Sequence, residues 1–249
     1  MVSKADVKLI RSLKLKKFRD QEGLFVVEGA KMVKEAITST FRIRALYAQE
    51  ADLFSGSIDV RLVTEREMSN ISHLATPSPA LALVEKENLN AQQAISDLDP
   101  AQLYLGLDTI RDPGNMGTII RIADWFCIKA IFASPDTVDL YNSKVIQASM
   151  GAIFRVPVHY IELEKLIDRL NIPVWGTDIN GVSIYEVTLS NNGIIIVGNE
   201  ANGISVSLQQ KIKQMLSIPS CCSDALRSES LNAAIATAII CAEFRRSSL

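Results

Sequence analysis

Leu103-Tyr104-Leu105-Gly106-Leu107-Asp108-Thr109-Ile110-Arg111-Asp112-Pro113-Gly114-Asn115-Met116-Gly117 passes from an apolar run into a polar turn and then into a helix start. Leu103–Leu107 fits a buried strand. Pro113-Gly114 is turn chemistry, and Gly117 permits close backbone approach where a helix over 116–126 begins. Arg121 follows Gly117 by one helical turn, so its side chain can project near the same loop. A strand handed to a helix through a polar turn is the repeating unit of a parallel α/β sheet, and such sheets take ligands beyond the carboxyl ends of their strands.

The unit recurs downstream. Apolar runs at Ala130–Ala133, Val174–Thr177 and Ile194–Val197 alternate with helical patterns at 116–126, 142–149 and 162–170. This predicts an α/β fold with a parallel sheet and helices on both faces. A second polar strand end, Gly198-Asn199-Glu200-Ala201-Asn202-Gly203, follows Ile194–Val197. Two glycines bracketing an acid before a helix suit a ligand cradle of outward backbone N–H groups. No G-x-G-x-x-G follows a predicted strand, which argues against a dinucleotide loop. The third strand end is Ile218-Pro219, with a polar stretch running to Ser230-Leu231-Asn232. Ser228, Ser230 and Asn232 are equally good caps for the last helix. That helix shows an apolar stripe at Leu231, Ala234, Ile235, Ala238, Ile239 and Ala242.

Upstream, Val7, Ile10 and Leu13 form a helical stripe, and a helix fits Lys31–Ile37. Short strands fit Phe25–Val27, Arg44–Ala48, Val60–Val63 and Leu81–Val84. Glu87–Gln102 turns polar with Pro100 as a breaker, which predicts a first domain over 1–90, a linker over 91–101 and a second domain over 102–249. Within a chain of 249 residues and net charge -2, the first nineteen residues hold seven basic side chains and one acid. Such a segment is either a solvated helix face or a phosphate-binding surface, since screening limits each charge to about 10 Å.

With 48% apolar residues the chain is neither disordered nor a small disulfide scaffold. No apolar run approaches the roughly 18 residues of a membrane span. The start lacks a secretory apolar core, so a cytoplasmic location is expected. Cysteines at 127, 221, 222 and 241 form no CxxC pair and are expected as free thiols. The adjacent Cys221-Cys222 has no partner pair, and His73 and His159 are isolated. A structural role is expected for both histidines, and no metal site is expected.

Asp112-Pro113-Gly114-Asn115-Met116-Gly117-Thr118-Ile119-Ile120-Arg121-Ile122-Ala123-Asp124 closely resembles the first motif of the SpoU/TrmH RNA 2′-O-ribose methyltransferases. Gly198–Gly203 resembles their second motif, and Ile218-Pro219 with Glu229-Ser230-Leu231-Asn232 their third. The N-terminal part is similar to the family's L30e-like substrate-binding domain through Arg19, Phe25-Val26-Val27-Glu28-Gly29 and Ser78-Pro79-Ala80-Leu81-Ala82. The resemblance implies an α/β-knot catalytic domain with a deep C-terminal trefoil knot. It also implies S-adenosylmethionine as methyl donor, a structured RNA (ribosomal or transfer) as substrate, and a homodimer whose partner subunit completes each site; no membrane is involved.

Residue by residue, the resemblance makes Arg121 the catalytic arginine, with Asn115, Glu200, Ser230 and Asn232 beside it. The donor falls to Gly198, Asn199, Glu200, Gly203, Ile218, Ser230, Leu231 and Asn232. Lys14, Lys16, Lys17 and Arg19, with Arg121, become phosphate contacts for RNA. One departure stands out: Ser220–Ser228 is longer than the family's stretch and lacks its glycine. Glycine lets the backbone turn tightly, and other residues pay for positive φ. An RNA-binding protein on the same fold, without catalysis, is therefore the competing expectation.

Overall fold

The computed structural model describes residues 2–54, 59–221 and 230–246. The chain opens with α1 (Lys4–Ser12), α2 (Lys16–Glu22), β1 (Leu24–Glu28) and α3 (Ala30–Thr38). It continues through β2 (Ile43–Ala48), β3 (Val60–Leu62), α4 (Glu65–Ile71), β4 (Ala80–Glu85) and α5 (Ala91–Ser96). Next come β5 (Leu103–Leu107), α6 (Pro113–Trp125), β6 (Ile131–Ala133), α7 (Ser143–Ser149) and β7 (Val158–Tyr160). It closes with α8 (Leu163–Ile167), β8 (Val174–Ser183), β9 (Gly193–Val197), α9 (Val206–Gln209), β10 (Gln214–Ser217) and α10 (Ala233–Arg246). Two compact units result: residues up to Asn88 joined by Asp139–Arg155, and Leu89–Val138 joined by the chain from Val156 onward.

The first unit holds a four-stranded sheet in the order β1-β4-β2-β3, with β4 antiparallel to both neighbours and β2 parallel to β3. Every residue of β1 is buried. Leu24 and Val26 join Ile10, Leu13, Met68 and Ile71 in one core, while Phe25 turns the opposite way, as strand alternation requires. There Phe25 meets the ring of Tyr141 at 4.5 Å between centroids, and Phe41 meets Phe154 at 5.3 Å. Residues 139–155 thus supply aromatic cover to the first sheet, and the helix expected at 142–149 forms as α7 within this unit.

Arg19 corrects an expectation. Its side chain is 4% exposed, not open to RNA. The guanidinium donates from Nη1 to the carbonyls of Leu13 and Lys14 at 2.8 and 2.9 Å, where α1 ends. Nη2 pairs with the carboxylate of Asp139 at 2.6 Å. The unpaired carbonyls of a helix end need donors, and a planar cation with several N–H groups serves two carbonyls and a carboxylate together.

The second unit holds a six-stranded sheet, all neighbours parallel, in the order β10-β8-β9-β5-β6-β7. Its central strands β5 and β9 are buried throughout, as continuous apolar runs between two helical layers should be. Residues 91–101, expected as a linker, instead carry α5, capped by Asn90, with Ala91, Ala94, Ile95 and Leu98 packed on the core. Those four positions make a helical apolar stripe inside a polar stretch, too short to stand out in a composition-based reading.

The stripe expected on α10 is also revised. Ala233, Ala234, Thr237, Ile240, Cys241 and Phe244 face the core, while Ile235 is 54% exposed. The helix is apolar around most of its circumference, so periodicity does not choose the inner face.

Candidate active site

The sheet order sets β9 against β5 and places β8 between β9 and β10, so the three polar strand ends gather along one edge. Asp108, the first residue past β5, is buried. Its carboxylate accepts from the Ser205 N–H at 2.7 Å and the Thr109 hydroxyl at 3.0 Å. Thr109 sits at φ 59, a left-handed conformation costly for a β-branched residue. It is held there from both sides: its N–H donates to Ser134 Oγ at 2.9 Å, and its carbonyl accepts from Asn199 Nδ2 at 2.9 Å. The first and second polar loops are thereby tied to each other.

Asp112 caps α6 by accepting from the Asn115 N–H at 2.8 Å, with Pro113 pre-set for the first helical position. This fixes Asn115 in the first turn. Its Nδ2 donates to the carboxylate of Glu200, and its Oδ1 accepts from Asn232 Nδ2 at 2.8 Å. Asn232 also caps α10, its Oδ1 accepting from the N–H groups of Ala234 and Ile235 at 3.0 and 3.2 Å. Asn115 therefore joins one residue from each of the other two segments, and Asn232 serves as both helix cap and site residue.

The second loop folds onto itself. Asn199 and Gly203 exchange backbone hydrogen bonds of 2.8 and 3.0 Å, and Gly203 takes φ 64. A Cβ on Gly198 would lie 2.2 Å from the Gly203 carbonyl carbon, so no other residue fits there. Asn199 Oδ1 accepts from the N–H groups of Ala201 and Asn202, which makes Asn199 the brace of the loop. On the third segment, Ile218 is half-buried, Ser230 is exposed and Leu231 is 47% exposed. Cys222, Ser228 and Glu229, with most of the glycine-less stretch, lie outside the described residues.

Arg121 is exposed on α6, and its side chain makes no hydrogen bond or ion pair with another described residue. Lys14, Lys16 and Lys17 are exposed in the first unit. Lys16 pairs with Asp20 at 2.5 Å, and hydrogen bonds from Lys16 and Lys86 hold the Asp20 carboxyl below its ordinary range. His73 is half-buried with Nε2 2.7 Å from the Ile10 carbonyl. His159 stacks on Phe132, and burial lowers the pKa of both imidazoles. Among the described residues no cluster of three or more metal-binding side chains occurs. Asp108, Thr109 and Ser134 were not singled out by sequence reasoning; a lone acid directly after a wholly apolar strand was the available signal.

Residues 102–242 match the SpoU rRNA Methylase family and residues 4–82 the MRM3-like substrate binding domain. A Bacillus subtilis protein, 23S rRNA (guanosine(2553)-2'-O)-methyltransferase RlmP, is 30% identical over 243 residues, covering 94% of this chain and 93% of its own. The solved structure of a TrmH-family protein from Porphyromonas gingivalis superposes with a TM-score of 0.87 at 35% identity, covering 99% of each chain. An AdoMet-bound rRNA methyltransferase from Sinorhizobium meliloti superposes at 0.86 with 30% identity, covering 100% of this chain and 98% of its own.

Proposed function

The chain belongs to the SpoU rRNA methylase family, and from that premise we propose that it methylates a ribose 2′-OH of ribosomal RNA with S-adenosylmethionine as donor. The observation carrying this reading is the Asn115–Glu200–Asn232 constellation, which draws the three motif segments into one site at the strand ends.

The residues present fit the donor. Gly198 lets the Gly203 backbone close the loop tightly, Ile218 and Leu231 offer apolar surface, and the Glu200 carboxylate suits a positively charged ligand. Gly198, Asn199, Glu200, Gly203, Ile218, Ser230, Leu231 and Asn232 would hold it. When bound, S-adenosylmethionine supplies a methyl group on a sulfonium, a good leaving group. The protein's share is alignment, which contributes roughly 7–11 kcal/mol in favourable systems. Asn115 and Asn232 fix the carboxylate of Glu200 and the start of α10 relative to α6. Arg121 presents an exposed guanidinium whose planar fork of N–H donors suits an RNA phosphate, and the 2′-OH proton leaves to solvent. Lys14, Lys16 and Lys17 add sequence-independent phosphate contacts from the first unit.

The same family reading carries a homodimer. α6 and α10 run side by side, Asn232 against Asn115 at their starts and Arg245 donating to the carbonyls of Phe126 and Cys127 at their ends. Trp125, 82% exposed at the end of α6, and Ile235, 54% exposed at the start of α10, are the apolar side chains this helix pair offers a second copy. Among the described residues no helix is long and apolar enough to cross a membrane, and a cytoplasmic location accords with an rRNA substrate.

Calorimetric titration with S-adenosylmethionine and S-adenosylhomocysteine, followed by labelled-methyl transfer to an unmodified 23S rRNA transcript, tests the reading. Saturable binding with transfer supports it. RNA binding without donor binding replaces it with the non-catalytic RNA-binding protein.

A further inference from the structure

We infer that Tyr185 is the platform on which the base of the target nucleotide stacks at the active site, an assignment that rests on the RNA methyl-transfer reading above. β8 ends between the strands that deliver the second and third motif segments. Its pairing with β10 jumps from Gly176–Met215 to Val182–Leu216, so the intervening residues bulge out of the ladder. Beyond the jump the chain is pinned again. Ile184 is fully buried, and its N–H donates to the Ser217 carbonyl at 2.9 Å, next to Ile218. The Tyr185 N–H donates to Ser183 Oγ at 3.3 Å, and the Glu186 N–H to the Ser183 carbonyl at 3.0 Å.

The backbone of Tyr185 is therefore held in a tight turn beside the donor end of the site, yet its side chain is 60% exposed. Among the described residues the exposed aromatic side chains are Tyr185 and Trp125, and Trp125 lies at the far end of α6 from Asn115.

An RNA substrate gives such a ring a use. A target nucleotide that leaves its stack to present its ribose loses the base's neighbours on both faces. An aromatic side chain on a fixed turn restores one face at small entropic cost and accepts any base. Ile179 on the bulge before the turn is 68% exposed.

Full-length Tyr185→Ala and Tyr185→Phe test this against an unmodified 23S rRNA transcript, by methyl-transfer kinetics, filter binding across a salt series, donor calorimetry and sedimentation. Tyr185→Ala should raise the RNA KM about tenfold to a hundredfold. Donor affinity should stay unchanged, as should the salt slope, because the ring carries no charge. Tyr185→Phe should behave as the parent. An unchanged KM in Tyr185→Ala overturns the assignment. So does weakened donor binding, which would give the ring to the donor, or a shifted oligomeric state, which would give it to a second copy. A parent protein that neither binds nor methylates the transcript overturns the rRNA reading and this assignment with it; an active parent with an indifferent Tyr185→Ala removes this assignment alone.

Discussion

Asn232 donates from Nδ2 to the Oδ1 of Asn115 at 2.8 Å, across 117 positions of sequence. Each asparagine is otherwise engaged with its own helix start, Asn115 as a residue bonded by the α6 cap and Asn232 as the cap of α10. The bond therefore locks the starts of two helices together, and Glu200 is held by the same amide that receives it.

Replacing Asn232 separates its two roles. Asn232→Ala removes cap and bridge together and should cost about 1 kcal/mol from the cap alone, read as a lower midpoint in denaturant. Asn232→Asp keeps an acceptor for the Ala234 and Ile235 N–H groups but sets a carboxylate against the Asn115 oxygen. It should melt near the parent temperature and bind the donor poorly; equal donor affinity in both would deny the bridge a role.

Arg121 is exposed and its removal leaves no buried partner behind, so Arg121→Ala should stay within about 0.5 kcal/mol of the parent in stability. Methyl transfer should fall at least tenfold while donor titrations remain unchanged. Undiminished turnover would refute the anchoring role.

Arg19 should behave in the opposite way. Losing one partner of a buried, hydrogen-bonded ion pair costs about 3–5 kcal/mol, so Asp139→Ala should unfold at markedly lower denaturant. Lys14→Glu with Lys17→Glu should leave stability intact and reduce the salt slope of rRNA binding. If Asp139→Ala is as stable as the parent, the pair contributes nothing.

Glu28 links stability to pH. Burial pushes its carboxyl above the ordinary range, against the lowering effect of bonds from Ser72 Oγ and the His73 N–H. With its folded-state pKa raised, the folded state holds the proton more tightly, so this contribution is complete below the unfolded carboxyl value and fades as pH rises through the folded one. Glu28→Gln, which keeps the shape and one acceptor, should remove that decline. Denaturant midpoints measured from pH 4 to 8 should converge at the acid end and favour the variant at the neutral end.

The two strand-end loops were legible because β5 and β9 are uninterrupted apolar runs that stop abruptly at polar residues. The meeting of positions 115, 200 and 232 followed from family resemblance, since spacing along a chain carries no information about which ends of a sheet adjoin. Arg19 was misplaced for a related reason: a basic residue among lysines reads as solvent-facing until its carboxylate, 120 positions later, is known. On α10 the apolar residues outnumber one face, so the inner and outer sides exchange easily on paper. α5 escaped notice because four small or aliphatic side chains carry its packing within a stretch that is otherwise polar.

The segment 139–155 that completes the first unit has a kinetic consequence during synthesis. A ribosome adds about 5–20 residues per second, so the 120 positions between Arg19 and Asp139 take roughly 6–24 seconds to traverse. Throughout that interval Arg19 lacks its carboxylate and Phe25 and Phe41 lack Tyr141 and Phe154. The stretch up to Asn88 therefore emerges first and receives its aromatic cover only after β5, α6 and β6 have been made.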